Sequence, residues 1–167
     1  MKKQSNLSRL LEIAGKYKYL TYASWILSAI SALLALVPYY FIWAMMKEIL
    51  QVAPNFNAAK DVTHNGWMAV LFAVISMLIY ISGLMCSHLG AFRIATNLRL
   101  QTMKHIVKLP LGAAERFGSG KLRKVVNESS AATETYLAHQ LPDKYAAMAT
   151  PVGLLALLLV LIGGSDF

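Results

Sequence analysis

The sequence predicts an all-α membrane protein with three long transmembrane helices, an N-terminal interfacial helix and a cytoplasmic helical hairpin. The first observation is composition: 57% of the 167 residues are apolar and 14% are charged, whereas soluble domains average about 45–50% and 25%. The second is that residues 19–46, 62–92 and 145–165 contain no Asp, Glu, Lys or Arg. The third is a net charge of +8, confined largely to one side of these runs. Together they exclude a soluble globule and a disordered basic tail.

The three uncharged runs predict spans at 20–45, 67–89 and 145–164, because about 20 helical residues cross a bilayer core. A buried helix of a soluble protein would explain one such run but not three. A secretory signal peptide is the alternative for the first run. Since a signal core has only about 7–15 apolar residues, the first run predicts an uncleaved anchor.

The basic residues predict the orientation. The external loop, 46–66, has few charges, whereas the N-terminus and the connection 90–144 are basic, so the positive-inside rule places both of these in the cytoplasm. This distribution accounts for the charge without a nucleic-acid partner. The residues concerned are Lys2, Lys3, Arg9, Lys16 and Lys18 before the first span, and Arg93, Arg99, Lys104, Lys108, Arg116, Lys121, Arg123 and Lys124 after the second.

The N-terminal segment and the first span carry two local signals. Within residues 1–18, Leu7, Leu10, Leu11 and Ala14 recur at helical spacing, which predicts a helix lying in the membrane interface. In the first span, Pro38 lacks a backbone donor and therefore predicts a kink.

The second span carries small residues every four positions, at Gly83, Ser87 and Ala91. Such a stripe lets a neighbouring helix approach closely, so we expect it to be a packing face. No helix breaker follows before Pro110, which predicts one helix over 67–108 that continues into the cytoplasm.

Turn residues over 110–120 predict the end of that helix and the tip of a hairpin, with a short element at 111–118. A second polar helix is predicted from about Lys121 towards the third span, with bends at Pro142 and Pro151.

The sequence does not predict a phosphate-binding loop, an internal disulfide or a metal site. The string Gly118-Ser119-Gly120-Lys121 resembles the end of a phosphate-binding loop, but Glu115 and Leu122 occupy positions that require Gly and Ser or Thr. The lone Cys86 excludes an internal disulfide. The histidines are scattered without ligand spacing, so we expect no metal site; they are His64, His88, His105 and His139. No catalytic or cofactor-binding residue is predicted.

Several short motifs lie in the predicted hairpin. They are Arg93, Asn97-Leu98-Arg99, His105-Ile106-Val107-Lys108-Leu109-Pro110, Phe117-Gly118-Ser119-Gly120-Lys121-Leu122 and Asn127-Glu128. These motifs resemble the membrane domain of ABC exporters. The resemblance covers essentially the whole chain and departs from the family pattern at Glu128, where Asp is usual. The stretch 132–142 is also similar to bacterial members near the siderophore-linked group.

The resemblance implies the first half of a six-helix exporter membrane domain in a bacterial inner or plasma membrane. Element 111–118 would be a coupling helix that contacts an ATP-binding domain through Glu115, Arg116 and Phe117. ATP and Mg would bind to that domain, because the present chain itself has no ATPase site. A second half-transporter, identical or different, would complete a dimer.

On this resemblance we expect a truncated transporter that is inactive alone. Two alternatives stay open at the level of sequence. One is a small three-span adaptor that binds a cytosolic partner through its basic hairpin. The other is an anchor in which the basic connection binds anionic lipids.

Overall fold

The computed structural model describes residues 6–55 and 59–163, and within these ranges it is helical with no β-strand. The predicted all-α membrane fold is therefore confirmed. Lys2 and Lys3, used in the orientation argument, and Gly164, the last residue of the third predicted span, lie outside the described residues.

The first span is two helices rather than one. Helix α1 (Asn6–Ala14) leads through a short 3-10 turn (Gly15–Tyr17) into α2 (Lys18–Leu34), and α3 (Val37–Val52) follows. Pro38 stands at the start of α3. Because Pro38 has no N–H to donate to the carbonyl four residues earlier, the regular ladder ends at Leu34, and the predicted kink is present.

Helix α4 (Val62–Val107) is continuous over 46 residues, or about 70 Å at 1.5 Å per residue. It therefore extends well beyond the predicted second span. Lys104 and His105 lie in its last turn, where basic side chains interact favourably with the helix dipole.

The remaining chain is α5 (Leu111–Phe117), α6 (Ser119–Thr135), a five-residue π-helical segment (Tyr136–Gln140) and α7 (Leu141–Gly163). The second polar helix thus begins at Ser119, two residues before the predicted start. Pro151 lies inside α7, and the π segment directly precedes Leu141 and Pro142.

Among the described residues, three helical stretches are long and apolar enough to cross a membrane: Leu7–Val52, Val62–Val107 and Ser119–Gly163. The chain also divides into two compact units. The hairpin unit contains residues up to Trp25 together with Leu84–Pro142, and the span unit contains Ile26–Gly83 and the residues from Asp143 onward.

The hairpin unit has a small close-packed core. Ile94 and Leu137 are its largest fully buried apolar side chains. A Cβ on Gly90 would lie 3.3 Å from Thr21 Oγ1 and 3.4 Å from Leu20 Cβ. The absence of a side chain at Gly90 is therefore what allows α2 and α4 to approach this closely.

The span unit packs through aromatic and aliphatic side chains. Phe41 and Phe72 stack with their ring centroids 5.7 Å apart. A Cβ on Gly153 would come within 2.7 Å of side-chain carbons of Leu33 and Leu36, so this glycine allows α7 to lie against the end of α2.

Candidate functional site

The two arms of the hairpin, α4 and α6, contact each other in the hairpin unit. Arg99 and Glu134 form an ion pair across the arms, with N and O atoms 3.7 Å apart. Because both side chains are partly exposed, the pair contributes at most about 1 kcal/mol. Nearer the tip, a groove of about 280 Å³ separates the arms. Its lining consists of Met103, Ile106, Leu122, Arg123, Val126 and Asn127.

The tip helix α5 has sharp boundaries. Pro110 precedes it in an extended conformation with ψ 142°, and Gly118 ends it with φ +73°. That positive φ favours glycine, since a side chain there would be strained. The Gly118 N–H donates to the carbonyl of Glu115 at 3.1 Å, so the helix is closed by its own backbone.

The three predicted contact residues Glu115, Arg116 and Phe117 are all exposed on this tip. Phe117 leaves 49% of its surface open. Lys121 Nζ lies 5.5 Å from the centroid of the Phe117 ring, and Arg116 Nε donates to the Gly112 carbonyl at 3.2 Å. The tip thus presents an aromatic ring framed by basic side chains.

The glycine-rich string at the tip does not form a phosphate-binding loop. Ser119 already belongs to α6, and the Leu122 N–H donates to the Gly118 carbonyl at 3.2 Å. A phosphate loop instead wraps its free N–H groups around the ligand and follows a strand. Here the helix α5 precedes the string, so the segment is a turn between two helices.

The predicted packing stripe is buried at each position: Gly83, Ser87 and Ala91. Ser87 and Ala91 are 2% and 1% exposed, and Ala95 continues the series at 0%. Small side chains along one face of α4 are thus enclosed by the protein.

The histidines are not all scattered, contrary to the sequence interpretation. His88 on α4 and His139 in the π segment lie edge to face, with ring centroids 4.8 Å apart. They are 51 residues apart in the chain, so only the folding of the hairpin reveals the pair. His64 and His105 are exposed elsewhere, and no group of three metal-ligating side chains occurs among the described residues.

Sequence reasoning also missed the role of Ser87. Its hydroxyl donates to the carbonyl oxygens of Leu137 and Ala138 in the π segment, at 3.2 and 2.5 Å. The only sequence signal was Pro142, whose missing N–H disturbs the ladder of the preceding turn.

The fold and the hairpin define a class of protein: a polytopic helical membrane domain whose helices continue into a long hairpin with a short helix at its tip. Residues 20–163 match the family model of the ABC transporter transmembrane region. The chain belongs to this family, and the family assignment made from the hairpin motifs is confirmed.

Relatives of this chain from several mycobacteria share one name. The chain is 28% identical over 137 residues to the mycobactin import ATP-binding/permease protein IrtA of Mycobacterium tuberculosis, covering 82% of this chain and 16% of that protein. It is 26% identical to IrtA of Mycolicibacterium thermoresistibile, covering 82% and 15%. For IrtA of Mycolicibacterium smegmatis, identity is 33% over 73 residues, covering 44% and 8%. The chain thus spans less than a fifth of each relative's length.

Proposed function

We propose that this chain forms the first three spans of the membrane domain of an ATP-driven transporter, and that α5 docks on an ATP-binding domain. The observation that carries the proposal is the exposed surface of α5. Aromatic residues and arginine are enriched at the centres of protein interfaces, and Phe117 and Arg116 are both exposed on α5. The family match over residues 20–163 favours this function over a three-span adaptor.

The hairpin arms would transmit force between the two domains. Helix α4 is unbroken over 46 residues, and an unbroken helix moves largely as a rigid body. Closure of the ATP-binding domain on ATP and Mg would displace α5, and the arms would carry that displacement to the spans. Such rigid-body rotation about an interface is one of the recurrent ways in which proteins switch between two states.

The cargo of the proposed transporter is a siderophore-class iron chelate, which would pass along the inner faces of the three spans. The support is the name of the relatives, which are mycobactin import proteins. That name also favours import by a protein of exporter fold, whereas the exporter resemblance implies outward transport. A cargo uptake assay separates the two directions.

The remaining features of the proposal are orientation and assembly. The N-terminus and hairpin face the cytoplasm of a bacterial cell, as the distribution of basic residues favours. A second half-transporter, identical or different, supplies the other spans. ATP and Mg bind to the ATP-binding domain, which belongs to the same chain or to a partner, and residues 1–167 contribute no residue to that site.

The docking role of α5 is tested by Phe117→Ala in a transporter assembled with its ATP-binding domain in membrane vesicles. We expect transport-linked ATP hydrolysis to fall about tenfold, equivalent to about 1.4 kcal/mol, because the ring is the largest apolar group on the tip. Glu115→Ala and Arg116→Ala should have smaller effects.

The matched control is Val125→Ala, which removes a similarly exposed apolar side chain from the flank of α6, 46% exposed. This variant should keep normal activity. Equal activity of the Phe117 and Val125 variants would contradict docking through α5. Uptake of ferric mycobactin by the same vesicles then tests the cargo independently.

A further inference from the structure

The π-helical segment Tyr136–Gln140 carries the inference. Its defining bond runs from the Leu141 N–H to the Tyr136 carbonyl, five residues back instead of four. A π turn accommodates one residue more than an α turn, and such turns are frequent at functional sites. The segment therefore stores one extra residue between α6 and α7.

Pro142 creates a backbone problem at this place. In an α register its N–H would reach the carbonyl of Ala138, and in a π register that of Leu137, but proline has no N–H. In the observed register the Leu141 N–H is already used by Tyr136. In the π register, Leu137 O therefore has no backbone N–H from which it can accept a hydrogen bond. In an α register, the Leu141 N–H would donate to it.

Ser87 compensates for this loss. Its buried hydroxyl, on α4, lies within hydrogen-bond distance of both Leu137 O and Ala138 O. A hydroxyl has one proton to donate, so the two carbonyls share it. In the α register only Ala138 O would need this donor. The bond to Leu137 O is thus the interaction that the π register needs and the α register does not.

The neighbouring residue contacts the same segment. The ring of His88 packs against that of His139, at 4.8 Å between centroids. Two consecutive residues of α4 therefore contact the π segment. Ser87 donates to the Leu137 and Ala138 carbonyls, and His88 packs against the His139 ring.

We propose that residues 136–140 are a two-register hinge, held in the π register by Ser87. When α4 slides along α6 and the Ser87 hydroxyl leaves, the Leu141 N–H transfers from Tyr136 O to Leu137 O and the segment becomes α-helical. The helix then lengthens by about 1.5 Å, and the parts on either side rotate relative to each other by about 100°, the rise and twist of one residue. The device does not depend on the cargo or on the docking of α5.

The hinge is tested with two spin labels on the chain in lipid nanodiscs, at Arg123→Cys and Lys144→Cys, with Cys86→Ala removing the native thiol. Both positions are exposed, one before the segment and one after it. In Ser87→Ala the label distance should increase by about 1.5 Å, plus a contribution from the rotation. An unchanged distance would overturn the proposal.

The matched control is Ser82→Ala. Ser82 is exposed on the same helix and donates within that helix to Leu78 O at 2.8 Å, so the label distance should not change. A shift equal to that of Ser87→Ala would mean general loosening of α4 and would also overturn the hinge.

Two further variants separate a register change from a loss of packing. Pro142→Ala supplies the missing N–H, which would pair with Ala138 O in the α register and with Leu137 O in the π register, so neither register then needs the Ser87 hydroxyl. In this background Ser87→Ala should leave the label distance unchanged, whereas a loss of packing at Ser87 would still change it. Deleting Gln140 in the Ser87→Ala background removes the extra residue and should restore the wild-type distance. A distance that stays long after this deletion would refute the two-register account.

Discussion

The hairpin unit and the span unit differ in how completely they bury large apolar side chains. The hairpin unit encloses Ile94 and Leu137 completely and closes around small and polar residues. In the span unit, large apolar side chains point outward, with Val152 and Leu155 on α7 at 67% and 64% exposed. Large apolar side chains are exposed in both units, but among the described residues only the hairpin unit encloses large apolar side chains completely.

The difference reflects two solvents. A helix in water gains free energy by burying apolar groups, which accounts for the complete enclosure of Ile94 and Leu137 in the hairpin unit. Lipid tails are as apolar as leucine, so a helix in the bilayer associates through close packing and can leave aliphatic residues exposed. The outward apolar surface of α7 therefore indicates a lipid or helix environment.

The largest expected effect comes from placing one charge in each unit. Leu155→Lys should disfavour membrane insertion by about 3 to 4 kcal/mol, because lysine at the centre of a span costs about 2.5–3.5 and leucine is favourable. Val107→Lys, at a position 82% exposed near the end of α4 and beyond the predicted span 67–89, should leave the free energy of insertion nearly unchanged. Glycosylation-tagged insertion assays measure both, and equal costs would contradict the assignment of two solvents.

A second test removes aliphatic volume from each unit. Ile94→Ala should destabilise the protein by about 2 to 3 kcal/mol through lost burial and a cavity. Ile162→Ala, at a position 63% exposed on α7, should cost less than about 0.5 kcal/mol. Denaturant unfolding in detergent measures both, and a larger loss for Ile162 would reverse the comparison.

The smallest effect concerns the ion pair between the hairpin arms. A double-mutant cycle on Arg99→Ala and Glu134→Gln should give a coupling of about 0.5 kcal/mol, since the pair is partly exposed. The coupling should fall as salt rises from 0.05 to about 0.5 M. The i,i+4 pair of Lys124 and Glu128 is the control within one helix. A salt-independent coupling would argue against an electrostatic origin.

Much of this architecture is readable from sequence because it depends on local chemistry. Pro38 removes one donor, so the break in the first span follows directly. The run of residues without breakers before Pro110 similarly fixes a long helix. The start of α6 was missed by two residues, because Ser119 and Gly120 have weak helix propensity but continue the helix that begins after Gly118.

The contacts between residues distant in the chain could not be predicted from the sequence. The pairing of His88 with His139, and of Ser87 with Leu137 and Ala138, depends on how α4 and the π segment align. Periodicity assigns a residue to a face of its own helix, but it does not specify the register between two helices. The exposure of Phe117 on the tip is likewise a product of the folded hairpin.

The sequence by itself determined the class of protein, the three spans and the hairpin. Hydropathy, charge and proline act on the local backbone, so their effects can be predicted from the residues themselves. Only the tertiary structure decided where the extra residue between α6 and α7 is stored. A carbonyl left unpaired by Pro142 can be satisfied by a local change of register or by a side chain from another helix. Which of these occurs depends on the position of Ser87 in space.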